Sequence, residues 1–206
     1  MASLYLARLG ETENNVNGIW SGRNADSPLT EKGKRQSESV ANLLAGKDIS
    51  AIYSSPSGRV IDSAKYLADK IKQSIIPASE FQEIDLGDFD GKLSQVASIT
   101  KEGKVFTSDP TQVKLPGAFV SLEESQNTAI KRIESILGEI TDASNIVIYT
   151  HGATMRLIIL GLLGIGPGLS SFWRFRIGNS AIAHIVFKNG LFDLQELINF
   201  GGIVID

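Results

Sequence analysis

SLYLARLGET, residues 3–12, carries an apolar run into an arginine, a leucine and a glycine. The apolar residues 3–7 predict a buried strand, and the polar segment 8–29, rich in asparagine and glycine, predicts a functional loop. A strand that ends at Arg8 and Gly10 is typical of the edge of an anion site, because the arginine fork binds oxyanions and glycine lets the backbone approach them closely. Leu9 lies between the two, where the loop would turn its side chain toward the ligand.

Beyond this stretch, strands and helices alternate along the first three-quarters of the chain. The predicted helices lie at 30–44, 58–71, 121–140 and 152–164, and the predicted strands at 51–54, 146–149, 173–177, 181–187 and 191–197, the last two joined by a turn at 188–190. This order predicts an α/β fold in which helices cover both faces of a mostly parallel sheet. Residues 1–206 are predicted to form one domain, and segment 80–120, broken by glycines and prolines, is predicted to be a cap or lid.

The composition narrows the classes of function. The 206 residues carry a formal net charge of −3, which provides no overall basic field for nucleic acid. Cysteine is absent, so disulfides, thiolate metal sites and cysteine nucleophiles are excluded, and two histidines are too few for a histidine-rich metal centre. The longest apolar run, 157–165, is shorter than the ~20 residues of a membrane helix, and no signal peptide is recognisable. We therefore expect a soluble, cytoplasmic protein that binds neither nucleic acid nor membranes.

Three predicted strands end in residues suited to holding a phosphate. The first ends at Arg8, the second is followed by Arg59 at the start of a helix, and the third ends in His151 and Gly152. Ligands of open α/β sheets bind beyond the carboxyl ends of the strands. Two guanidinium groups, an imidazole and the free N–H groups of a helix start would form a phosphate cradle there. Glu83 adds a carboxylic acid that could protonate a leaving oxygen.

With these residues in place, the sequence resembles the histidine phosphatase superfamily, the group that contains cofactor-dependent phosphoglycerate mutases and related phosphatases. The matching pieces follow the family's order over about residues 3–165: Arg8-Leu9-Gly10-Glu11-Thr12, Asn15, Ser21-Gly22, Leu29-Thr30-Glu31-Lys32-Gly33, Ser54-Ser55-Pro56, Arg59 with Ser63-Ala64, Glu83 with Leu86-Gly87-Asp88-Phe89-Asp90-Gly91, and His151-Gly152. The resemblance implies a phosphoglycerate mutase-like three-layer α/β/α sandwich. The short middle segment favours a phosphatase-like member, because resemblance to the mutases implies a longer insertion there.

The resemblance also implies roles for single residues. The family uses a phosphohistidine intermediate and no metal, and its nucleophilic histidine lies between the arginine and the glycine of the first motif. For this protein we expect no cofactor. The family's remaining site residues map onto this sequence as follows: Arg8, Arg59 and His151 hold phosphate, with the backbone at Gly152 close to it; Asn15 is a further pocket residue; Glu83 protonates the leaving group. The ligand would be a phosphorylated small molecule or inorganic phosphate. The sequence is also compatible with a homodimer.

The sequence departs from the family at Leu9, which occupies the position of the nucleophilic histidine. Leucine has no lone pair and cannot accept a phosphoryl group. The first hypothesis is therefore a phosphatase site that binds phosphomonoesters and is inactive or weakly active. The second is a non-catalytic phosphate-sensing or regulatory module. The third is a phosphatase with displaced chemistry that uses His151 and Glu83. His184 matches no motif and is predicted to be structural.

Overall fold

A mixed β-sheet lies at the centre of the computed structural model, which describes residues 2–110, 113–139, 144–167, 172 and 175–203. Its strands are β1 (Ala2–Arg8), β2 (Ile49–Ser54), β3 (Ile75–Pro77), β4 (Asn145–Thr150), β5 (Phe175–Lys188) and β6 (Leu191–Ile203). They are ordered β3-β2-β4-β1-β5-β6 across the sheet. The first four in this order run parallel, whereas β5 is antiparallel to β1 and β6 is antiparallel to β5. The predicted mostly parallel sheet is confirmed.

Helices cover both faces of this sheet. The helices are α1 (Glu13–Val16), α2 (Glu31–Leu44), α3 (Gly58–Ile71), α4 (Ser94–Ile99), α5 (Lys101–Ser108), α6 (Leu122–Glu139) and α7 (Gly152–Leu162). Apolar side chains of α2 and α3 pack on one face of the sheet, and those of α6 and α7 pack on the other. The predicted three-layer α/β/α sandwich is confirmed. None of the described helices combines the length and apolar character needed to cross a bilayer.

Local signals in the sequence placed several element ends correctly. Thr30 caps α2 by accepting a hydrogen bond from the amide of Gly33, and α3 spans the predicted 58–71. Ser121 and Glu124 form the predicted capping box at the start of α6, with reciprocal hydrogen bonds of 2.7 and 3.1 Å. The turn after β5 contains Asn189 and Gly190, both with positive φ, as a two-residue hairpin requires.

The closing strands differ from the prediction. Strands were expected at 173–177 and 181–187, but β5 is one strand over Phe175–Lys188, and residues 173 and 174 lie outside the described part of the chain. The pairing with β6 shifts register between Ile177 and Ile182, and Ser180 adopts a left-handed φ of 59°. A bulge within a continuous strand thus produced the apparent break in the sequence pattern.

The predicted cap, segment 80–120, contains α4, α5 and a 3₁₀-helix at Gly87–Phe89. It has an apolar cluster of its own, which includes Phe89, Ala97, Phe106 and Leu115. The same cluster includes Leu157 of α7. The segment therefore packs beside α7.

Candidate active site

The seven residues that the sequence singled out line one cavity of about 260 Å³: Arg8, Leu9, Asn15, Arg59, Glu83, His151 and Gly152. The cavity lies at the carboxyl ends of β1 and β4, where parallel strands place their terminal residues side by side. Further wall residues come from residues 12–21, segment 80–120 and α7: Thr12, Ile19, Trp20, Ser21, Ile84, Leu86, Phe106, Ala153 and Arg156. The distant pieces of chain therefore line one cavity.

Arg8 ends β1 and places its guanidinium against the N-terminus of α7. A Cβ added at Gly152 would lie 3.1 Å from Nε and Cζ of Arg8, so the glycine permits this close approach. Nη1 donates to the carbonyl of Ile177, whereas Nε is buried and has no hydrogen-bond partner among the described residues. Burial lowers the pKa of Arg8 to about 10; Glu83 opposes this shift and Arg156 adds to it. Arg8 therefore remains a cation at neutral pH and retains an unpaired N–H donor.

His151 is the N-cap residue of α7, is 1% exposed and lies between Arg59 and Ser55. Nδ1 lies 3.2 Å from Nη2 of Arg59, and Nε2 lies 2.8 Å from Oγ of Ser55. Because a guanidinium can only donate, Nδ1 must accept, and the ring proton is therefore assigned to Nε2, which donates to Ser55. Burial lowers the pKa of His151 well below its usual value, and the charges of Arg59 and Arg8 act in the same direction. His151 is thus a neutral imidazole with both nitrogens engaged.

Arg59, in the first turn of α3, is 3% exposed and is held by the loop that follows α1. Nη1 donates to the carbonyl of Ala25 at 2.6 Å and to Oδ1 of Asp26 at 3.0 Å. Nη2 donates to the carbonyl of Gly22 at 2.8 Å and faces the ring of His151. An anion gains a hydrogen bond from a terminal nitrogen of Arg59 only by displacing one of these acceptors. In this structure Arg59 fixes the loop and the imidazole, and it contributes its charge to the cavity.

Glu83 lies at the other side of the α7 N-terminus. Oε1 accepts from the amide of Thr154 at 3.0 Å, from the hydroxyl of the same residue at 3.0 Å and from the amide of Ile84 at 3.0 Å. Oε2 accepts one bond of 3.2 Å, from the amide of Ala153. The carboxylate therefore satisfies free N–H groups of the first turn of the helix. Oε2 therefore has fewer hydrogen-bond partners than Oε1.

Leu9 sits between these groups with its backbone fixed on both sides. Its amide donates to the carbonyl of Thr150 at 3.1 Å, and its carbonyl accepts from the amide of Ser180 at 3.0 Å. The side chain is 5% exposed, packs with the apolar cluster under α2 and α3, and forms part of the cavity wall. The wall at this position therefore consists of hydrocarbon, with no atom that can accept a phosphoryl group.

Asn15 belongs to α1 and is exposed at the cavity edge. Its Oδ1 accepts from the amide of Thr12 at 3.1 Å, so the carbonyl oxygen faces the N-cap and the NH₂ group faces elsewhere. The side chain therefore presents donors, which is the polarity that an anion requires.

Sequence reasoning missed Arg156, Trp20 and Ser55. Arg156 lies four residues after Gly152, one helical turn along α7, so the helical period alone could have placed it at the cavity. Trp20 is an isolated aromatic residue in a polar loop and carried no periodic signal. Ser55 was noted at a strand end, but its bond to His151 depends on a pairing between residues 96 positions apart.

The fold and the cavity define the class of protein: an α/β protein with a basic, glycine-edged cavity beyond the carboxyl ends of parallel strands, where such folds bind ligands. The family model of the histidine phosphatase superfamily (branch 1) matches residues 4–199, and the chain belongs to this family. The putative phosphoserine phosphatase 2 of Hydrogenobacter thermophilus is 30% identical over 189 residues, which are 90% of this chain and 89% of that relative.

Solved structures agree with this assignment. YhfR of Bacillus stearothermophilus superposes with a TM-score of 0.85 at 26% identity, over 94% of this chain and 95% of its own. The phosphoserine phosphatase of Entamoeba histolytica, in complex with 3-phosphoglyceric acid, gives a TM-score of 0.83 at 27% identity, over 96% of both chains. A histidine-to-alanine variant of that enzyme, in complex with phosphoserine, gives a TM-score of 0.82 at 26% identity, over 96% of both chains.

Proposed function

We propose that this protein binds phosphomonoesters or inorganic phosphate in the cavity and that, with Leu9 at the nucleophile position, it hydrolyses them little or not at all. The observation that carries the proposal is the hydrocarbon wall at Leu9, among the residues that match the family's phosphate-holding groups and its leaving-group acid. The ligand site and the missing acceptor atom are separate parts of this proposal, and each has its own support.

The anion site is supported by unpaired and positive groups. Arg8 has a buried Nε–H without a partner among the described residues, and the N-terminus of α7 at Gly152 adds the positive end of a helix dipole. Leaving such a donor unpaired costs about 1–3 kcal/mol, which an oxyanion would recover on binding. The complexes of the Entamoeba relative, including its histidine-to-alanine variant with phosphoserine, support binding without turnover.

Low turnover is supported by the contacts that engage His151, the histidine among the described residues that line the cavity. His151 is the nearest residue of suitable chemistry, but its Nδ1 lone pair faces Arg59 and its Nε2–H is donated to Ser55. Attack by Nδ1 would require the loss of the contact with Arg59, and attack by Nε2 would require a change of tautomer and the loss of the bond to Ser55. The hypothesis of displaced chemistry therefore gains no support from the geometry. Direct attack by water remains. In an unrelated hydrolase class, loss of the nucleophile leaves roughly 10³–10⁴-fold catalysis over water, which sets the scale of any residual activity.

The second candidate function is a phosphate sensor or regulatory module. This function is favoured by the same observation, a basic cavity whose wall at Leu9 cannot accept a phosphoryl group, because such a site would bind a phosphorylated ligand and release it unchanged. In either case we propose that the single domain uses segment 80–120 as the cap that selects the ligand, because Leu86 and Phe106 of this segment form part of the cavity wall.

One set of variants separates the hypotheses. Phosphoserine hydrolysis and phosphate binding are measured for the unmodified protein and for Leu9→His, His151→Ala and the Leu9→His/His151→Ala double variant. We expect all forms that keep His151 to bind phosphate. Only Leu9→His should hydrolyse phosphoserine, at a rate on the order of 10³ times that of the unmodified chain or more.

The other outcomes identify the alternatives. Activity of the unmodified chain that His151→Ala abolishes would support displaced chemistry. Phosphate binding with an inert Leu9→His form would support the sensor. Absence of phosphate binding in every form would refute the anion site itself.

A further inference from the structure

Asn179 and Ser180 do not line the cavity, but they contact two residues that do, Asn15 and Leu9. They form the bulge of β5, where the register with β6 is interrupted between Ile177 and Ile182. Ser180 has a left-handed φ of 59°, and Asn199 on the neighbouring strand has one of 60°. Such conformations are uncommon for residues other than glycine, so this pair of bends needs a structural reason.

Two hydrogen bonds anchor the bulge. The amide of Ser180 donates to the carbonyl of Leu9 at 3.0 Å, which ties the bulge to the end of β1. Nδ2 of Asn199 donates to the backbone carbonyl of Asn179 at 2.7 Å. A Cβ at Gly178 would lie 2.8 Å from the carbonyl oxygen of Asn199, so β5 and β6 pack tightly here. The position of Asn179 is thus fixed from both sides.

From that position Asn179 reaches the first loop. Its Nδ2 donates to Oδ1 of Asn15 at 3.0 Å, across 164 residues of sequence. Oδ1 of Asn15 also accepts from the amide of Thr12 at 3.1 Å. A carbonyl oxygen has two lone pairs, so both are used, and the two N–H donors of Asn15 take part in neither bond. The four-residue helix α1 contains no buried residue that could fix this side chain by packing.

We infer that Asn179 is a positioning residue of the anion site, which holds the amide of Asn15 so that its N–H donors face the ligand. The inference rests on the proposed function only for its binding readout, because the orientation of Asn15 is a property of the free protein. A polar group held by two fixed donors is preorganised and loses little freedom on binding an anion. Without Asn179, the amide of Asn15 would keep only the bond from Thr12.

The test combines phosphate titration with a double-mutant cycle. Calorimetry with inorganic phosphate compares the unmodified protein, Asn179→Ala, Asn15→Ala and the double variant. We expect Asn15→Ala to weaken phosphate binding about tenfold, since it removes a hydrogen bond to a charged group, and Asn179→Ala to weaken it about fivefold. In the double variant the loss should equal that of Asn15→Ala alone, because Asn179 acts through Asn15. Additive losses, or unchanged binding in Asn179→Ala, would overturn the inference.

The control is Asn189→Gly, which changes an asparagine in the turn of the same hairpin at a φ of 54° that glycine tolerates. It should leave phosphate affinity unchanged. If Asn179→Ala does not fold, Asn199→Gly removes the bond to the Asn179 carbonyl at a φ that glycine also adopts. That variant should weaken phosphate binding in the same direction by a smaller factor, and unchanged affinity would count against the inference.

A second readout separates this inference from the proposed function. Proton–nitrogen NMR spectra of the free protein report the side-chain NH₂ of Asn15, assigned from its loss in Asn15→Ala. We expect the shifts of this pair to change and its exchange with water to speed up in Asn179→Ala. If the unmodified protein binds no phosphate but the NMR change occurs, the proposed function fails and the positioning role stands. An unchanged Asn15 signal in Asn179→Ala would contradict the positioning role whatever the phosphate result.

Discussion

The His151 ring shows how single contacts decide the chemistry of this cavity. A guanidinium on one nitrogen and a serine hydroxyl on the other leave the imidazole neutral and without a free lone pair. The same contacts hold the ring at the start of α7, beside Gly152. His151 is therefore suited to shape the cavity, and Leu9 presents hydrocarbon to it.

The low pKa of His151 predicts a loss of stability in mild acid. The unfolded chain binds a proton on this residue near pH 6.5, whereas burial and the charges of Arg59 and Arg8 keep it neutral in the fold at that pH. Stability should therefore fall as the pH drops below about 6.5, by up to about 1.4 kcal/mol per pH unit for this one group. Urea unfolding at pH 7.5, 6.5 and 5.5 measures this slope.

The comparison uses one variant for each histidine. His151→Gln should show a shallower dependence of unfolding free energy on pH than the unmodified chain. The pKa of His184 is also lowered, mainly by burial, so this residue makes its own contribution to the pH dependence of stability. His184→Gln should therefore keep the part of the pH dependence that comes from His151. If the unmodified chain and His151→Gln showed the same pH dependence, the loss of stability in acid could not be attributed to His151.

At the scale of elements, the N-terminus of α7 depends on Glu83. The carboxylate accepts from the amides of Ala153 and Thr154 and from the amide of Ile84, and all of these bonds are buried. A helix end buried without such an acceptor would leave free N–H groups unpaired. Glu83 therefore supports the fold of the site in addition to its proposed role as acid.

This capping predicts a graded loss of stability. Glu83→Ala should lower the free energy of unfolding by about 1–3 kcal/mol, because it leaves buried amides without an acceptor, and Glu83→Gln should lower it less, because one carbonyl oxygen remains. Denaturant unfolding measures both. Glu123→Ala removes an exposed glutamate from the first turn of α6 and should change stability by no more than about 0.5 kcal/mol. A Glu83→Ala protein as stable as this control would contradict the account.

Elements with a clear period or cap were predictable from sequence, and those defined by tertiary contacts were not. The stripe of α3 and the caps at Thr30 and Ser121 gave nearly correct bounds. The short helices α4 and α5 are too brief to show a period, and three-residue β3 exists through its pairing with β2. The bulge at Ser180 resembled a break, since a polar pair in the pattern of β5 gives the same signal as a loop.

The residues of the candidate site divide in the same way into those that the sequence predicts and those that it does not. Arg8, Arg59 and His151 were identifiable because each ends or follows a strand, and parallel strands bring these ends together. Arg156 at the cavity and Asn179 beside Asn15 lie within elements, and their positions depend on how α7 and the last hairpin pack. Local sequence patterns do not contain that information.

At the scale of the whole molecule, the cavity concentrates positive charge in a chain that is negative overall. The net charge is −3, but Arg8, Arg59 and Arg156 face one cavity with Glu83 as the carboxylate in its wall. Anion binding should therefore be local to this cavity and should stabilise the fold by mass action.

Inorganic phosphate should raise the melting temperature of the unmodified protein. At about 100 times its dissociation constant a ligand adds about 2.7 kcal/mol of stability, which for a chain of this size corresponds to roughly 5–10 °C. Scanning calorimetry in phosphate, matched for ionic strength with chloride, measures the shift. Arg8→Gln should abolish it, whereas Arg35→Gln, at an exposed position on α2, should keep it. Equal shifts in both variants would place the phosphate elsewhere.

The most direct test of the account is covalent phosphorylation of the Leu9→His variant. Incubation with labelled phosphoserine and a rapid quench that preserves phosphohistidine should yield up to one phosphoryl group per chain at position 9, and none on the unmodified protein. This result would mean that the cavity is complete apart from the accepting atom. A Leu9→His protein that binds phosphate with unchanged affinity yet takes up no phosphoryl group would contradict it.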